Sequence, residues 1–373
     1  MARLGDVFTI SSGGTPDKRQ NLYYDNGNVP WVKTGDLKEK FVSNNVDRIT
    51  LEGLNHSSAK LFPAGTVLVA MYGATIGACS ILNYEASTNQ ACAAFLPNAN
   101  ILPAYLYYFL SSRKEKFIQD GVGGAQPNIS AGYLKNVPFD IKPLEAQASI
   151  VAHLSRVDDL ISLRKQQLAK LDELVKVRFV EMFGDPVLNQ KKFPCYTVND
   201  VIEFQGGSQP DKKYFEYMPT ADNIRLIQIR DYKSDRYKTY IPKSLAKRFC
   251  TADDIMIGRY GPPIFQILSG IEGSFNVALM KAMPKMGNKE FIRQYLKQDC
   301  LLKYLEGLSK RTAGQDGIQM DKLKAYPLPF PPIELQNEFA NFSEQIGNFK
   351  LTIQQSLDKL EVLKKALMQE YFG

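Results

Sequence analysis

Metal and redox chemistry find little to work with in this sequence. Its 373 residues include five scattered cysteines (Cys79, Cys92, Cys195, Cys250 and Cys300), none of them in a Cys-x-x-Cys pair, and two histidines, His56 and His153. That pattern excludes the usual zinc spacings and leaves the thiols reduced, as small apolar groups. No apolar run approaches the ~20 residues of a membrane span. Met1 to Ile10 lacks the basic head and apolar body of a signal peptide, so the expected location is the cytoplasm, away from any membrane.

What is present fits a folded protein of two or three domains: 44% hydrophobic, 23% charged and 11% aromatic residues. Lys and Arg number 46 against 39 Asp and Glu, a net charge of +7. That excess suits a polyanionic partner without requiring one.

The chain repeats itself. Leu4 to Lys18 (LGDVFTISSGGTPDK) matches Val198 to Lys212 (VNDVIEFQGGSQPDK) at a shift of 194, sharing Asp6/Asp200, Val7/Val201, Gly13/Gly207 and the Pro-Asp-Lys triplet. Val29 to Asp36 (VPWVKTGD) aligns with Ile224 to Asp231 (IRLIQIRD), and Tyr72-Gly73 with Tyr260-Gly261. A shift of 189 then carries Gln126, Ile129, Leu134, Pro138, Pro143, Glu145 and Gln147 onto Gln315, Ile318, Leu323, Pro327, Pro332, Glu334 and Gln336, and Phe183-Gly184 onto Phe372-Gly373. Ordered matches from the start of each half to its last dipeptide indicate duplication.

Each half carries a module and a tail. Short apolar runs predict strands over Val29 to Lys33, Thr66 to Met71 and Ala91 to Leu96, and over Ile224 to Ile229, Ile255 to Ile257 and Ala278 to Met283. Helical spacing over Leu102 to Gln119 and Glu290 to Leu308 makes each module mixed α and β. The tails, Glu145 to Met182 and Glu334 to Tyr371, hold no Gly or Pro except Gly347 and follow Pro143 and Pro332. One apolar seam runs through Ile150, Leu154, Val157, Ile161, Leu168, Leu171 and Val175. The other runs through Phe339, Phe342, Ile346, Phe349, Ile353, Leu357, Leu360, Leu363 and Leu367.

A helix of about 38 residues is roughly 57 Å long and cannot bury such a seam against one small module. The two tails are therefore expected to pack together, antiparallel, giving an α+β chain with internal pseudo-two-fold symmetry. The alternative is that each packs on its own module. The expected divisions are a first module over 1–143, a helix over 144–183, a second module over 184–332 and a second helix over 333–373. Arg164, Lys165, Lys170, Lys176 and Arg178 on one helix, and Lys350, Lys359, Lys364 and Lys365 on the other, read as a solvated basic face.

Catalytic motifs fail on inspection. Gly261-Pro262-Pro263-Ile264 approaches the Asn/Asp-Pro-Pro-aromatic motif of amino-methyltransferases, but Gly offers no acceptor for the target amine and Ile cannot stack on a flipped base. Gly121 to Ala125 lacks the Lys-Ser/Thr of a phosphate loop and reads as a flexible loop. Gly73 to Gly77 reads as a tight turn.

The strings GGTPDK (Gly13 to Lys18), VPWVKTGDL (Val29 to Leu37), FPAGTVLVAMYGATIG (Phe62 to Gly77), TNQACAAF (Thr88 to Phe95) and GGAQPNIS (Gly123 to Ser130), with their second-half counterparts, resemble the Type I restriction-modification specificity (HsdS) family. The resemblance implies a non-catalytic subunit with two target recognition domains, each reading half of a split DNA site, and helices that set the spacing and dock modification subunits. It also implies that S-adenosylmethionine binds those adenine-methylating partners and not this chain, and that restriction subunits join the full complex. Trp31 becoming Leu226, and Pro127, Asn128 and Ser130 becoming Asp316, Gly317 and Gln319, imply different half-sites.

Candidate DNA contacts supply phosphate-binding cations, base-edge amides and aromatic faces. They are Lys18, Arg19, Lys33, Tyr72, Gln90, Gln126 and Asn128 in the first module, and Lys212, Lys213, Gln228, Arg230, Arg259, Tyr260, Asn276, Gln315 and Lys322 in the second. A coiled-coil adaptor binding only protein, and a self-contained methyltransferase or nuclease, are the competing readings.

Overall fold

The computed structural model describes residues 1–121, 128–261, 263–309 and 317–373. Gln126, Gln315, the glycine-rich segment from Val122 onward and Pro262 of the Gly-Pro-Pro-Ile string lie outside the described residues. The chain forms two compact units, Met1–Gln166 with Gln354–Gly373, and Gln167–Ile353.

In the first unit the strands are β1 (Ala2–Arg3), β2 (Ile10–Ser12), β3 (Val29–Val32), β4 (Arg48–Ile49), β5 (Leu61–Phe62), β6 (Val67–Ala70), β7 (Cys79–Ile81), β8 (Ala86–Thr88), β9 (Cys92–Phe95) and β10 (Pro138–Phe139). Its helices are α1 (Leu4–Val7), α2 (Leu51–Asn55), α3 (Pro103–Ser112), α4 (Lys114–Asp120), α5 (Ala131–Lys135) and the start of α6 (Leu144–Phe183). Two four-stranded sheets, ordered β2-β9-β6-β7 and β4-β3-β8-β5, lie beside the β1-β10 pair.

The second unit has β11 (Cys195–Thr197), β12 (Ile202–Gly206), β13 (Asn223–Ile227), β14 (Tyr240–Pro242), β15 (Phe249–Cys250), β16 (Ile255–Gly258), β17 (Gln266–Leu268), β18 (Gly273–Phe275), β19 (Leu279–Pro284) and β20 (Pro327–Pro329). Its helices are α7 (Val198–Val201), α8 (Lys289–Leu296), α9 (Asp299–Ser309), α10 (Met320–Lys324) and the start of α11 (Ile333–Phe372). The sheets repeat the first unit strand for strand: β12-β19-β16-β17, β14-β13-β18-β15 and β11-β20. Even the parallel pair recurs, as β3 with β8 and β13 with β18.

Period-two packing explains why β6 and β16 read as unbroken apolar runs. Val67 and Val69 face one core, with Phe95, Tyr105, Phe109 and Leu154, while Leu68 and Ala70 face a second core between the sheets, with Val32, Phe62 and Ala86. Ile255 and Ile257 likewise face the helices and Met256 the other sheet. Each unit is thus helices on a sheet on a second sheet, and the middle sheet is buried on both faces.

The helix expected over Leu102 to Gln119 is two, broken at Arg113, and the one over Glu290 to Leu308 breaks after Leu296. The breaks let residues on successive helices enter one core, Phe109 with Phe117 and Tyr295 with Leu301. Local caps fix several starts: Thr50 for α2, Ser130 for α5, Thr197 for α7 and Asn288 for α8 each accept a backbone N–H. Gly13 and Gly207 sit where an added Cβ would meet the carbonyl oxygens of Thr88 and Asn276 at 1.9 Å. Only glycine permits that approach.

The long helices pair antiparallel inside each unit. In the first, His153 bonds Tyr371 at 3.0 Å, Asp158 pairs with Lys364 at 2.6 Å and Lys165 with Glu361 at 3.4 Å. In the second, Asp172 pairs with Lys350 at 2.5 Å and Arg178 with Glu338 at 3.0 Å. These pairs correct the expectation of a purely solvated basic face, because Lys165, Arg178, Lys350 and Lys364 flank the seam and meet carboxylates from the facing helix. Two seam positions are corrected as well: Phe349 is 62% exposed and Leu363 46% exposed, while Ile346, Ile353, Leu357 and Leu360 are at least partly buried. The seam passes one residue later in each case, beside Lys350 and Lys364.

The repeated Phe-Gly endings have a structural role. Phe372 inserts among Tyr105 and Phe109, and Arg113 donates to its carbonyl at 2.7 Å, satisfying a free helix-end acceptor. Phe183 packs on Phe291 and Phe339 in the other core. Gln147 and Gln336, both fully buried, tie the helix starts to the loops before α3 and α8. Gln147 accepts from Leu102 N–H and donates to the Asn100 and Lys142 carbonyls, while Gln336 accepts from Asn288 N–H and donates to Pro331.

Candidate nucleic-acid interface

Backbone hydrogen bonds gather the loops of each unit at one end of its sheets. In the first, Asn89 N–H donates to Val32 O at 2.9 Å, Met71 to Ala91 O at 2.9 Å, Ile129 to Met71 O at 3.0 Å and Gly14 to Thr88 O at 2.9 Å. Tyr72 and Asn128 form an isolated antiparallel bridge. Lys33, Tyr72, Gln90, Asn128 and the Gly13 to Arg19 loop therefore share one cluster. The second unit repeats the wiring: Asn276 N–H donates to Ile227 O at 3.0 Å, Arg259 to Ala278 O at 2.9 Å and Ser208 to Phe275 O at 3.0 Å, and Tyr260 bridges Gly317. Gln228, Arg259, Tyr260 and the Gly207 to Lys213 loop converge in the same way. Lys322 lies on α10, exposed.

The side chains differ in how free they are. Lys18, Lys212 and Lys322 are exposed with no ion-pair or hydrogen-bond partner among the described residues. Arg19 lies against Asp17 at 2.8 Å, and this bond holds the Asp17 carboxyl down to about 2. Lys213 reaches Asp211 at 3.8 Å and lies 5.0 Å from the Tyr214 ring centre. Gln90 accepts a bond from the Thr15 hydroxyl. Tyr72 and Tyr260 are each 43% exposed, the latter under the Arg259 guanidinium at 5.4 Å.

Lys33 bonds Asp47 at 2.5 Å, and that carboxylate raises the ammonium pKa. Gln228 and Arg230 both donate to Thr239 Oγ1, at 3.0 and 3.2 Å. Asp36 and Asp231 accept the backbone N–H of Lys33 and Gln228, at 2.8 and 3.1 Å, fixing the turn after β3 and after β13. Burial raises the Asp231 carboxyl pKa against these bonds.

Asn276 is a correction among the candidates. It is buried at 6% exposure and its Oδ1 accepts Ala278 N–H at 3.1 Å, so it serves the turn after β18. The sequence reading missed Asp47, Thr239 and the Arg236–Tyr237 pair, stacked at 5.2 Å beside Arg230. A signal existed for none of them, since the segments before β4 and β14 align poorly between the halves. Gly73 to Gly77 is the expected tight turn, with both glycines at positive φ. Among the described residues, no cluster of His, Cys, Asp and Glu could hold a metal ion, and no helix is long and apolar enough to cross a membrane.

The comparison with known proteins also finds the duplication. The family model described as the Type I restriction modification DNA specificity domain matches residues 1–173 and again 190–364. The chain belongs to that family. Among curated relatives, the Type I restriction enzyme MjaIX specificity subunit of Methanocaldococcus jannaschii is 25% identical over 64% of this chain and 63% of its own length. The EcoR124I/EcoR124II specificity subunit of Escherichia coli is 28% identical over 46% of this chain and 44% of its own. The chain thus spans less than two thirds of either relative. A crystal structure of the Type I restriction-modification S subunit from M. genitalium shares the fold, with a TM-score of 0.55 at 15% identity over 100% of this chain and 95% of that one. In this family member the match falls once on each module, as the repeat requires.

Proposed function

We propose that the chain is the DNA-recognition subunit of a Type I restriction-modification complex, each module reading one half of a bipartite site. The observation that carries this reading is the repeated loop cluster. Each one exposes a cation whose side chain has no partner among the described residues, Lys18 or Lys212, in the same loop cluster as an exposed tyrosine and polar side chains at strand ends. Cations suit phosphates, amides suit base edges, and both are needed for positioned reading.

In this reading α6 and α11 set the spacing between half-sites and dock the modification subunits. Chemistry belongs to those partners: S-adenosylmethionine binds the modification subunits, and restriction subunits join the full complex, in the cytoplasm. The relatives' names, specificity subunits of Type I restriction enzymes, support the recognition role. The test is binding of the chain with modification subunits to double-stranded DNA carrying a split site, with spacers altered by one base pair. Loss of binding on changing the spacer is expected, because half-sites must be met on a fixed face of the duplex. Indifference to spacing would sink the reading.

A further inference from the structure

Lys33 and Gln228 hold the same place in the two modules. Each follows the strand that pairs in parallel with its neighbour, and each has its backbone N–H capped by an aspartate three residues on. Their side-chain partners are equivalent too. Asp47 accepts Trp31 N–H through its carbonyl at 2.8 Å, and Thr239 accepts Leu226 N–H in the same way at 2.8 Å. The repeat has therefore exchanged a Lys–Asp pair for a Gln–Thr pair at one structural position, although alignment does not register 47 with 239.

We propose that these pairs are matched readers and anchors: Lys33 and Gln228 each touch one base pair, and Asp47 and Thr239 are positioning residues that fix the reader's exposed donors and acceptors. The inference rests on the DNA-reading function above. A lysine ammonium has three N–H donors; one goes to Asp47 and two remain, which suits the paired acceptors of guanine. A glutamine amide has two N–H donors and one acceptor oxygen. With one N–H given to Thr239, a donor and an acceptor remain, the complement of the adenine edge. Arg230 donates to the same Thr239 oxygen and braces the anchor. Its counterpart in the first module is Gly35, so that brace belongs to the second module alone. Anchoring matters because a free long side chain must lose rotamer freedom on binding, whereas a held one has already lost it.

The test is selection of bound sequences from a random double-stranded DNA library by the full chain, alone and with modification subunits. Thr239→Val is expected to lower discrimination about tenfold at one base pair of one half-site, and Asp47→Ala to do the same at one base pair of the other. Thr239→Ser, which keeps the acceptor, should retain the original preference. The double change Lys33→Gln with Asp47→Thr should move one position from guanine to adenine. Asp47 is exposed, so its variant remains informative if the buried Thr239→Val fails to fold. Unchanged preferences in Asp47→Ala, or uniform weakening without loss of discrimination, would overturn the pairing while leaving DNA reading intact. Failure of the unaltered chain to enrich any sequence would overturn the reading itself and the inference with it.

Discussion

The two modules agree where the backbone needs help and differ where side chains face outward. Gly13 and Gly207, Asp36 and Asp231, and Gln147 and Gln336 perform the same task in both, each relieving a clash or satisfying a backbone group. At the loop cluster the chemistry diverges: Lys33 with Asp47 against Gln228 with Thr239, and Gly35 against Arg230. The turns that lead into β6 and β16 diverge as well. Before β6 the first module has Ala64-Gly65-Thr66, whereas before β16 Asp253 and Asp254 pair with Lys281, Lys289 and Arg293. Duplication has kept the scaffold and let the side chains at the loop cluster diverge.

The comparison breaks most visibly in the cores. Phe179 is 1% exposed and touches Phe183, Phe291 and Phe339, so Phe179→Ala should cost about 3–5 kcal/mol by cavity formation, measured by chemical denaturation. Phe372→Ala, at the helix end in the other core, should cost less because Phe372 is 6% exposed against 1% for Phe179 and leaves a smaller closed cavity. Equal losses would mean that the two cores hold their helix-borne aromatic rings alike. Next come Gly13→Ala and Gly207→Ala, each expected to destabilise by about 1–3 kcal/mol through the same carbonyl clash. Thermal melts that differ between the two would show that one module can shift its loop and the other cannot.

A smaller effect separates phosphate contacts from readers. Lys18→Ala and Lys212→Ala should each lower the slope of log affinity against log salt by roughly one, with sequence preference unchanged. A change of preference would move either lysine into the reading set. The smallest effect is a pH difference between modules. The Lys289 ammonium holds the Asp253 carboxyl below its usual value of 3.8. A depressed carboxyl stabilises the fold above its unfolded value, and that contribution is lost as pH falls below about 4. The group is largely exposed and therefore screened, so Asp253→Asn should flatten acid unfolding only slightly, and only for the second module.

Much of this was legible in the chain. The repeat, both long helices and the six predicted strands all emerged within a residue or two, because apolar runs and the lack of Gly or Pro are local signals. Two- and three-residue strands such as β4 and β8 were not legible: a segment that short has no period, and only its neighbours make it a strand. Lys18, Tyr72 and Tyr260 are exposed as expected, whereas Asn276 looked like a base reader and is a buried turn residue. An amide reads the same in sequence whether it faces solvent or a backbone N–H.

By itself the sequence determined the duplication, the α+β content, the positions of the long helices and the family, since each depends on residue order or periodicity along one stretch. Tertiary structure alone decided that β6 is buried on both faces, that Lys350 and Lys364 pair across the helices, and that Asp47 and Thr239 stand behind Lys33 and Gln228. Those facts join residues distant in the chain, and hydrogen bonds and ion pairs depend on distances that only the folded backbone sets.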